Sequence, residues 1–331
     1  GLFRFDETEF TEETALMVTE SNEIGYFEFD NVPAGNFLVR EIASPEAFVL
    51  TEEIFPVEIT EDGQTIEITI ENQIIKGTAE TIKVDADYPD HKLSGAVFEV
   101  YADVDNNGEF NADIDKLAGE MTETEPGLYQ MKDLVYRNYF LHEKEAPEFF
   151  EKDDGYYPFS ITENEAIVRI ETEAGEGFLN KAQTGSLKVV KTADDDKVEG
   201  RTFKISGTDF MGNAYEQEFK TDENGEINLT LRVGEYTVSE VAGEDSEKYI
   251  LPDDQTVEIK AGETTTVKMH NKLVPEVPSV PQTGDNPWMP AILGTLAGLA
   301  VLSGGALLFL RYTGKKRKSA DQADEDQGTE E

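Results

Sequence analysis

Gly25-Tyr-Phe-Glu-Phe-Asp-Asn-Val-Pro-Ala-Gly-Asn-Phe-Leu-Val-Arg-Glu41 aligns without a gap on Gly127-Leu-Tyr-Gln-Met-Lys-Asp-Leu-Val-Tyr-Arg-Asn-Tyr-Phe-Leu-His-Glu143. A third version, Gly225 to Glu240, is one residue shorter. Self-similarity of this kind marks one structural unit used several times, so the chain reads as three copies of a single module. Phe3 precedes Gly25 by the interval that separates Phe203 from Gly225, so repeat one matches repeat three from its first residues. Repeats two and three open with a further strand, around Ile82-Lys83-Val84-Asp85 and Leu187-Lys188-Val189-Val190-Lys191. Repeat one begins after the point where that strand would lie, and no signal peptide precedes Gly1. The expectation is a fragment whose first strand lies upstream.

Each module reads as all-β. Runs rich in β-branched and aromatic residues, such as Val97-Phe98-Glu99-Val100-Tyr101 and Ala166-Ile167-Val168-Arg169-Ile170, alternate with turn signals such as Glu223-Asn224-Gly225 and Glu61-Asp62-Gly63. Their length suits a small β-sandwich. The organisation is repeat one over 1–74, repeat two over 75–182, repeat three over 183–272, a Pro-rich spacer with a motif over 273–285, an apolar segment over 286–311, and a basic then acidic tail over 312–331. The fold class is therefore all-β, tandem β-sandwich modules followed by a single C-terminal transmembrane helix.

The formal net charge is −42 and there is no cysteine in 331 residues. Such an excess of carboxylates excludes nucleic acid and anionic membrane surfaces as partners and favours a soluble, self-repelling rod. Without cysteine there are no disulfides, thiolate metal sites or cysteine nucleophiles.

Near the C-terminus stand Val280-Pro281-Gln282-Thr283-Gly284, an uncharged run to Leu310, then Arg311 and Lys315-Lys316-Arg317-Lys318. The run from Pro290 is about 20 residues, enough at about 1.5 Å per residue to cross a bilayer core once. The basic cluster places its far side in the cytoplasm. This order resembles the LPXTG-type sorting signal of Gram-positive surface proteins, with Val280 where leucine is commonest. The resemblance implies sortase and peptidoglycan as partners, cleavage between Thr283 and Gly284, a membrane-spanning precursor and a mature protein on the cell wall. An ordinary single-pass anchor is the alternative.

Three markers recur: a glycine three residues before phenylalanine (Gly95 and Phe98, Gly200 and Phe203), a (Y/F)-x-(V/L)-x-E strand, and a closing Asn. Together they resemble the collagen-adhesin B-type, prealbumin-like, pilin-type repeats of Gram-positive adhesins over residues 1 to about 272. That family is known for intramolecular isopeptide bonds between lysine and asparagine, promoted by a buried acid. In repeat three, alternation puts Tyr236, Val238 and Glu240 on one face, as it does Val267, Met269 and Asn271, and Leu187, Val189 and Lys191. Lys188 remains a competing nucleophile. In repeat two the resemblance points to Lys83, Glu143 and Asn180. Ile82 and Val84 flank Lys83, however, and simple alternation then sets the lysine opposite the apolar face unless a bulge intervenes. Repeat one keeps Glu41 and Asn72, with no lysine of its own.

Asp103-Val-Asp105-Asn-Asn107-Gly108 has the ligand spacing of the first half of a calcium loop, but position 12 is Ile114 and not Glu. Asp113 or Asp115 would complete a calcium site; otherwise the stretch is an acidic solvated hairpin. No other cofactor is required. His142 and His270 neighbour the proposed reactive residues on the opposite strand faces, and exposed side chains are expected there.

The resulting expectation is a wall-anchored stalk or adhesin whose only catalysis is on itself. An accessory pilin, at the tip or base of a fibre, is the alternative, as is the stalk of a secreted enzyme whose catalytic domain lies elsewhere. The pattern Tyr88-Pro89-Asp90 lacks the lysine of a backbone pilin motif. A host or matrix protein ligand is left open, since in these adhesins the binding head is often separate from the repeats.

Overall fold

Alternation in the sequence becomes paired strands wherever one face can be covered. In a computed structural model that describes residues 1–173 and 175–276, Tyr236 and Val238 are buried while Glu235 and Thr237 point outward. Module one comprises β1 (Leu2–Arg4), β2 (Gly35–Arg40), β3 (Phe48–Val49), β4 (Ile54–Ile59) and β5 (Gln73–Ile74). Module two comprises β6 (Lys76–Asp85), β7 (Val97–Ala102), β8 (Lys116–Glu120), β9 (Thr122–Glu125), β10 (Leu128–Val135), β11 (Arg137–Glu145), β12 (Tyr156–Ile161), β13 (Ile167–Arg169) and β14 (Phe178–Asn180). Module three comprises β15 (Thr184–Ala193), β16 (Thr202–Asp209), β17 (Ala214–Lys220), β18 (Glu226–Arg232), β19 (Gly234–Glu240), β20 (Tyr249–Ile250), β21 (Gln255–Ile259) and β22 (Thr264–Leu273), with one 3₁₀ turn at Ser246–Lys248.

Modules two and three each stack two sheets. In module three their orders are β18-β15-β22-β20 and β17-β16-β19-β21; in module two they are β13-β6-β10-β9, with β14 also on β6, and β12-β11-β7-β8. Almost every pairing is antiparallel. The exceptions join the first strand of a module to its last: β15 with β22, and β6 with β13 and β14. Parallel neighbours cannot be joined by a tight hairpin, so here the whole module lies between them. This places the most distant residues of each module side by side.

The cores follow from that stacking. Phe98, Tyr129, Leu141 and Phe178 fill module two, with the Phe98 and Phe178 rings edge to face at 4.9 Å. Leu187, Phe203, Ile205, Val238 and Met269 fill module three. In module one only Leu2, Phe37 and Val39 are fully buried in the cluster, while Phe27, Phe29, Ile68 and Ile70 are partly covered. Among the described residues, no strand takes the place in module one that β6 and β15 take in the others, and the flanking segments 26–32 and 65–71 carry no strand pairing.

The one-residue difference between repeats has a structural cause. β10 shifts register against β6 between Met131 and Leu134, with Asp133 at φ +59°, whereas β18 pairs with β15 without interruption. Asn31 holds the same place in repeat one and has φ +56°. The extra residue is therefore a bulge, occupied by the side chains that best tolerate left-handed backbone. Gly77 and Gly185 answer a different need. A Cβ on Gly185 would lie 2.2 Å from Lys260 O, and one on Gly77 2.9 Å from Ala166 O, because a loop crosses each strand at its start.

No helix among the described residues is long and apolar enough to cross a membrane. The expected span at 286–311, the motif Val280-Pro281-Gln282-Thr283-Gly284 and the tail lie outside the described residues.

Candidate functional site

The inward face of β6 consists of Gly77, Ala79, Thr81, Lys83 and Asp85. Lys83 is fully buried, and no bulge in β6 was needed to turn it inward. The expectation drawn from its neighbours fails because this strand is covered on both sides. Ile82 is only half-buried, and Val84 is buried on the other face beneath the bridge to Lys92. Small residues line the inner face below Lys83, leaving room for its long stem.

β11 contributes Glu143 and β14 contributes Asn180, exposed by 0% and 2%. Asn180 Nδ2 donates to both carboxylate oxygens of Glu143 at 2.8 Å, and Lys83 Nζ lies 3.8 Å from Glu143 Oε1. Lys83 Nζ also donates to Phe178 O at 2.9 Å. In module three, Asn271 Nδ2 donates to Glu240 Oε1 at 2.8 Å and Lys191 Nζ stands 3.2 Å from Glu240 Oε2, again wholly inside. Lys188 is half-exposed on the outer face, paired with Glu226 at 2.7 Å. In module one, Asn72 Nδ2 donates to Glu41 Oε1 at 2.7 Å. The same Glu–Asn contact thus recurs three times, with a lysine beside it in two.

Burial sets the protonation states. Desolvation pulls Lys83 down to about 8 against the opposing pull of Glu143, and lowers Lys191 as well. Desolvation pushes Glu143 up. Both shifts move toward a neutral amine next to a protonated acid. The asparagine Oδ1 has no partner in any of the three modules, although it is buried. Turning the amide over would set Oδ1 against a protonated carboxyl, satisfying the orphan and polarising the carbonyl carbon. An amine, a polarised amide and a proton carrier are the components of acyl transfer with loss of ammonia.

The carboxyls are held by groups that the motif alone does not mark. Asp153 N donates to Glu143 Oε2 at 2.8 Å, and Asp153 accepts Tyr157 Oη at 2.7 Å. Thr51 N donates to Glu41 Oε2 at 3.1 Å, at the same distance along the chain from its glutamate. Module three has no such donor, and Glu240 Oε2 has no hydrogen-bond partner. The repeated ten-residue offset is the signal in the sequence that points to Thr51 and Asp153.

The loop between β7 and β8 brings Asp103, Asp105 and Asp115 within 4.8 Å of one another, without Asp113. Asp103 accepts the Asn107 and Gly108 amides, and Asp115 accepts those of Val104 and Asn111. Asn107 Nδ2 donates to Asp105 at 2.9 Å. Oxygen donors in this number suit a hard cation such as calcium, while the backbone amides already tie the loop. His142 departs from expectation: it is buried on the outer face, because the ring of Tyr156, its partner on β12, stacks on it at 4.2 Å and Gly155 O meets its Nδ1 at 2.9 Å. His270 is exposed and meets Asp194 at 3.0 Å.

The chain matches the SpaA family model, a prealbumin-like fold domain, three times, over residues 3–74, 77–176 and 185–273. No curated protein sequence matches it. Among solved structures it is similar to the Bacillus anthracis TIE protein, at 25% identity and a TM-score of 0.57, over 77% of this chain and 45% of that one. The chain thus spans less than half the length of that relative. It is also similar to GBS52, the minor pilin of the Gram-positive pathogen Streptococcus agalactiae, at 18% identity and a TM-score of 0.27 over 62% and 99% of the two chains. A C-terminal fragment of the pilus adhesin SpaC from Lactobacillus rhamnosus GG is similar at 13% identity and a TM-score of 0.35 over 62% and 100%. Three successive matches covering most of its length show that the chain belongs to the SpaA prealbumin-like domain family.

Proposed function

We propose that the chain is a wall-anchored surface stalk whose second and third modules close themselves with Lys83–Asn180 and Lys191–Asn271 isopeptide bonds, promoted by Glu143 and Glu240. The observation that carries this reading is the same buried Lys–Glu–Asn trio in two modules. The neutral lysine amine attacks the asparagine side-chain carbonyl carbon. The new C–N bond forms, the bond to Nδ2 breaks, and the glutamic acid passes protons so that ammonia leaves.

The position of the bonds gives them a mechanical purpose. Tension entering module three at Thr184 runs along β15 to Lys191, crosses to Asn271 and leaves along the end of β22. The chain between those two residues then bears no load, and rupture requires breaking a covalent bond instead of a ladder of hydrogen bonds. Sortase joining Thr283 to peptidoglycan supplies the fixed end of that line of force.

Intact mass is the test. Each bond expels ammonia and lowers the mass by about 17 Da, so two losses are expected, one abolished by Glu143→Ala and one by Glu240→Ala. An unmodified mass would remove the cross-links from this reading. Anchoring is tested separately: Thr283→Ala is expected to move the protein from the cell-wall fraction to the membrane fraction, and continued release with the wall would refute sorting at that residue.

A further inference from the structure

Arg232 ends β18 in module three, yet its guanidinium closes on module two. Nη2 donates to Asp85 Oδ2 at 2.5 Å, Nη1 donates to Asp209 Oδ2 at 2.9 Å, and Nε lies 3.7 Å from Asp87 Oδ2. Tyr88, Phe210 and Phe150 surround it at 5.0, 5.6 and 6.0 Å. The Asp85 side chain is 0% exposed and that of Arg232 only 13%. Gln183 stitches the same seam, donating from N to Phe149 O and from Nε2 to Phe150 O while its own O accepts Val233 N. A cation shielded by three rings and held by carboxylates from both modules is fixed in place, unlike a pair at a solvated rim.

Asp85 follows Lys83 by two residues on the inward face of β6 and is in register with Asn180 on β14. A buried carboxylate at that point favours the ammonium form of Lys83, which has no lone pair for attack. Module three provides an internal comparison. There Ala193 follows Lys191 by two residues and is in register with Asn271. Among the described residues only module two has a carboxylate at this position, and there an arginine from the next module meets it.

The other charged groups facing Lys83 are accounted for locally. Glu143, from β11, belongs to the reacting trio. Asp153, from the loop after β11, is engaged by Gly155 N and Tyr157 Oη. Asp85 is the one compensated across the seam.

We propose that Arg232 is a positioning residue for the module-two cross-link: by neutralising Asp85 it lets Lys83 become the neutral nucleophile, so closure of module two depends on docked module three. This rests on the reading of Lys83 and Asn180 as a cross-linked pair.

The test follows cross-linked peptides of both modules by mass spectrometry during cell-free synthesis of the full chain, with module three as the internal clock. With Arg232→Gln, closure of module two at neutral pH is expected to slow about tenfold and its pH profile to move up by about one unit, a tenfold change per unit being the ordinary equivalence. Closure of module three should keep its rate. Arg232→Lys should retain most of the rate, and Asp85→Asn with Arg232→Gln should restore both rate and profile. A role in packing alone predicts that the double variant is as slow as the single one, with no displaced profile. That result, or unchanged module-two kinetics in Arg232→Gln, would overturn the proposal. Absence of ammonia loss from either module of the unaltered chain would instead overturn the cross-link itself, and this role with it.

Discussion

Lys83→Met isolates the covalent tie from the charges around it. Lys83 is fully buried against Glu143 and the Phe178 ring, so an unbranched apolar side chain of similar length keeps the packing and removes the nucleophile. Truncating Glu143 instead would strand the lysine without its partner and mix two effects. Roughly 100 residues lie between Lys83 and Asn180, a loop for which chain entropy alone gives a cross-link about 4–5 kcal/mol, and disulfides, which restrict the unfolded chain in the same way, commonly deliver about 2–4 kcal/mol. In a module of this size 1 kcal/mol moves the midpoint by about 4–8 °C, so the module-two transition should fall by about 10–30 °C. Calorimetry of the full chain reads the transition, and the intact mass should show one ammonia loss where the unaltered chain shows two. Module three keeps its own trio and serves as the reference transition. A midpoint within about 2 °C of the unaltered chain would refute the staple, given the size dependence above. Two ammonia losses in Lys83→Met would refute the choice of nucleophile.

Gly185→Ala is expected to destabilise module three by about 1–3 kcal/mol in urea denaturation, because the added methyl would sit 2.2 Å from Lys260 O and 2.9 Å from Ile259 Cγ2. A loss under about 0.5 kcal/mol would show that the crossing loop simply moves aside. The rate of closure in module two should pass through a maximum with pH, because the neutral amine of Lys83, half populated near 8, and the protonated carboxyl of Glu143 are needed together. The sign follows from the shifts: burial lowers the lysine, so the neutral amine is reached earlier, and raises the acid, so the proton is kept longer. A rise continuing to about 10.5, as for an unburied lysine, would refute the buried-pair mechanism. Millimolar calcium is expected to raise the module-two midpoint by about 2–5 °C through Asp103, Asp105 and Asp115, and Asp115→Asn to abolish the rise. Superimposable melts with calcium and with chelator would mean that backbone amides alone close that loop.

Three repeats, their β character, and the phase of Glu143, Glu240, Asn180 and Asn271 with apolar neighbours were all legible in the chain. Those features are local, because a strand with one covered face prints its period directly into the sequence. Other features belong to the tertiary structure. Lys83 reads outward beside Ile82 and Val84, yet it points inward because β6 is covered on both faces and its inner row is Gly77, Ala79 and Thr81. Lys191 shares the phase of Leu187 and Val189 and Lys188 falls on the other face, but that Lys191 meets Glu240 while Lys188 pairs with Glu226 is decided by the opposing sheet and the neighbouring strand. His142 was expected at the surface and is covered by the Tyr156 ring of the neighbouring strand, a pairing that the alternation of β11 alone does not reveal. Arg232 and Asp85 stand 147 residues apart in different modules, so their meeting depends on how two complete sandwiches dock. Alternation along a strand determines which residues share a face, whereas the direction that face looks, and what meets it there, follows from long-range packing.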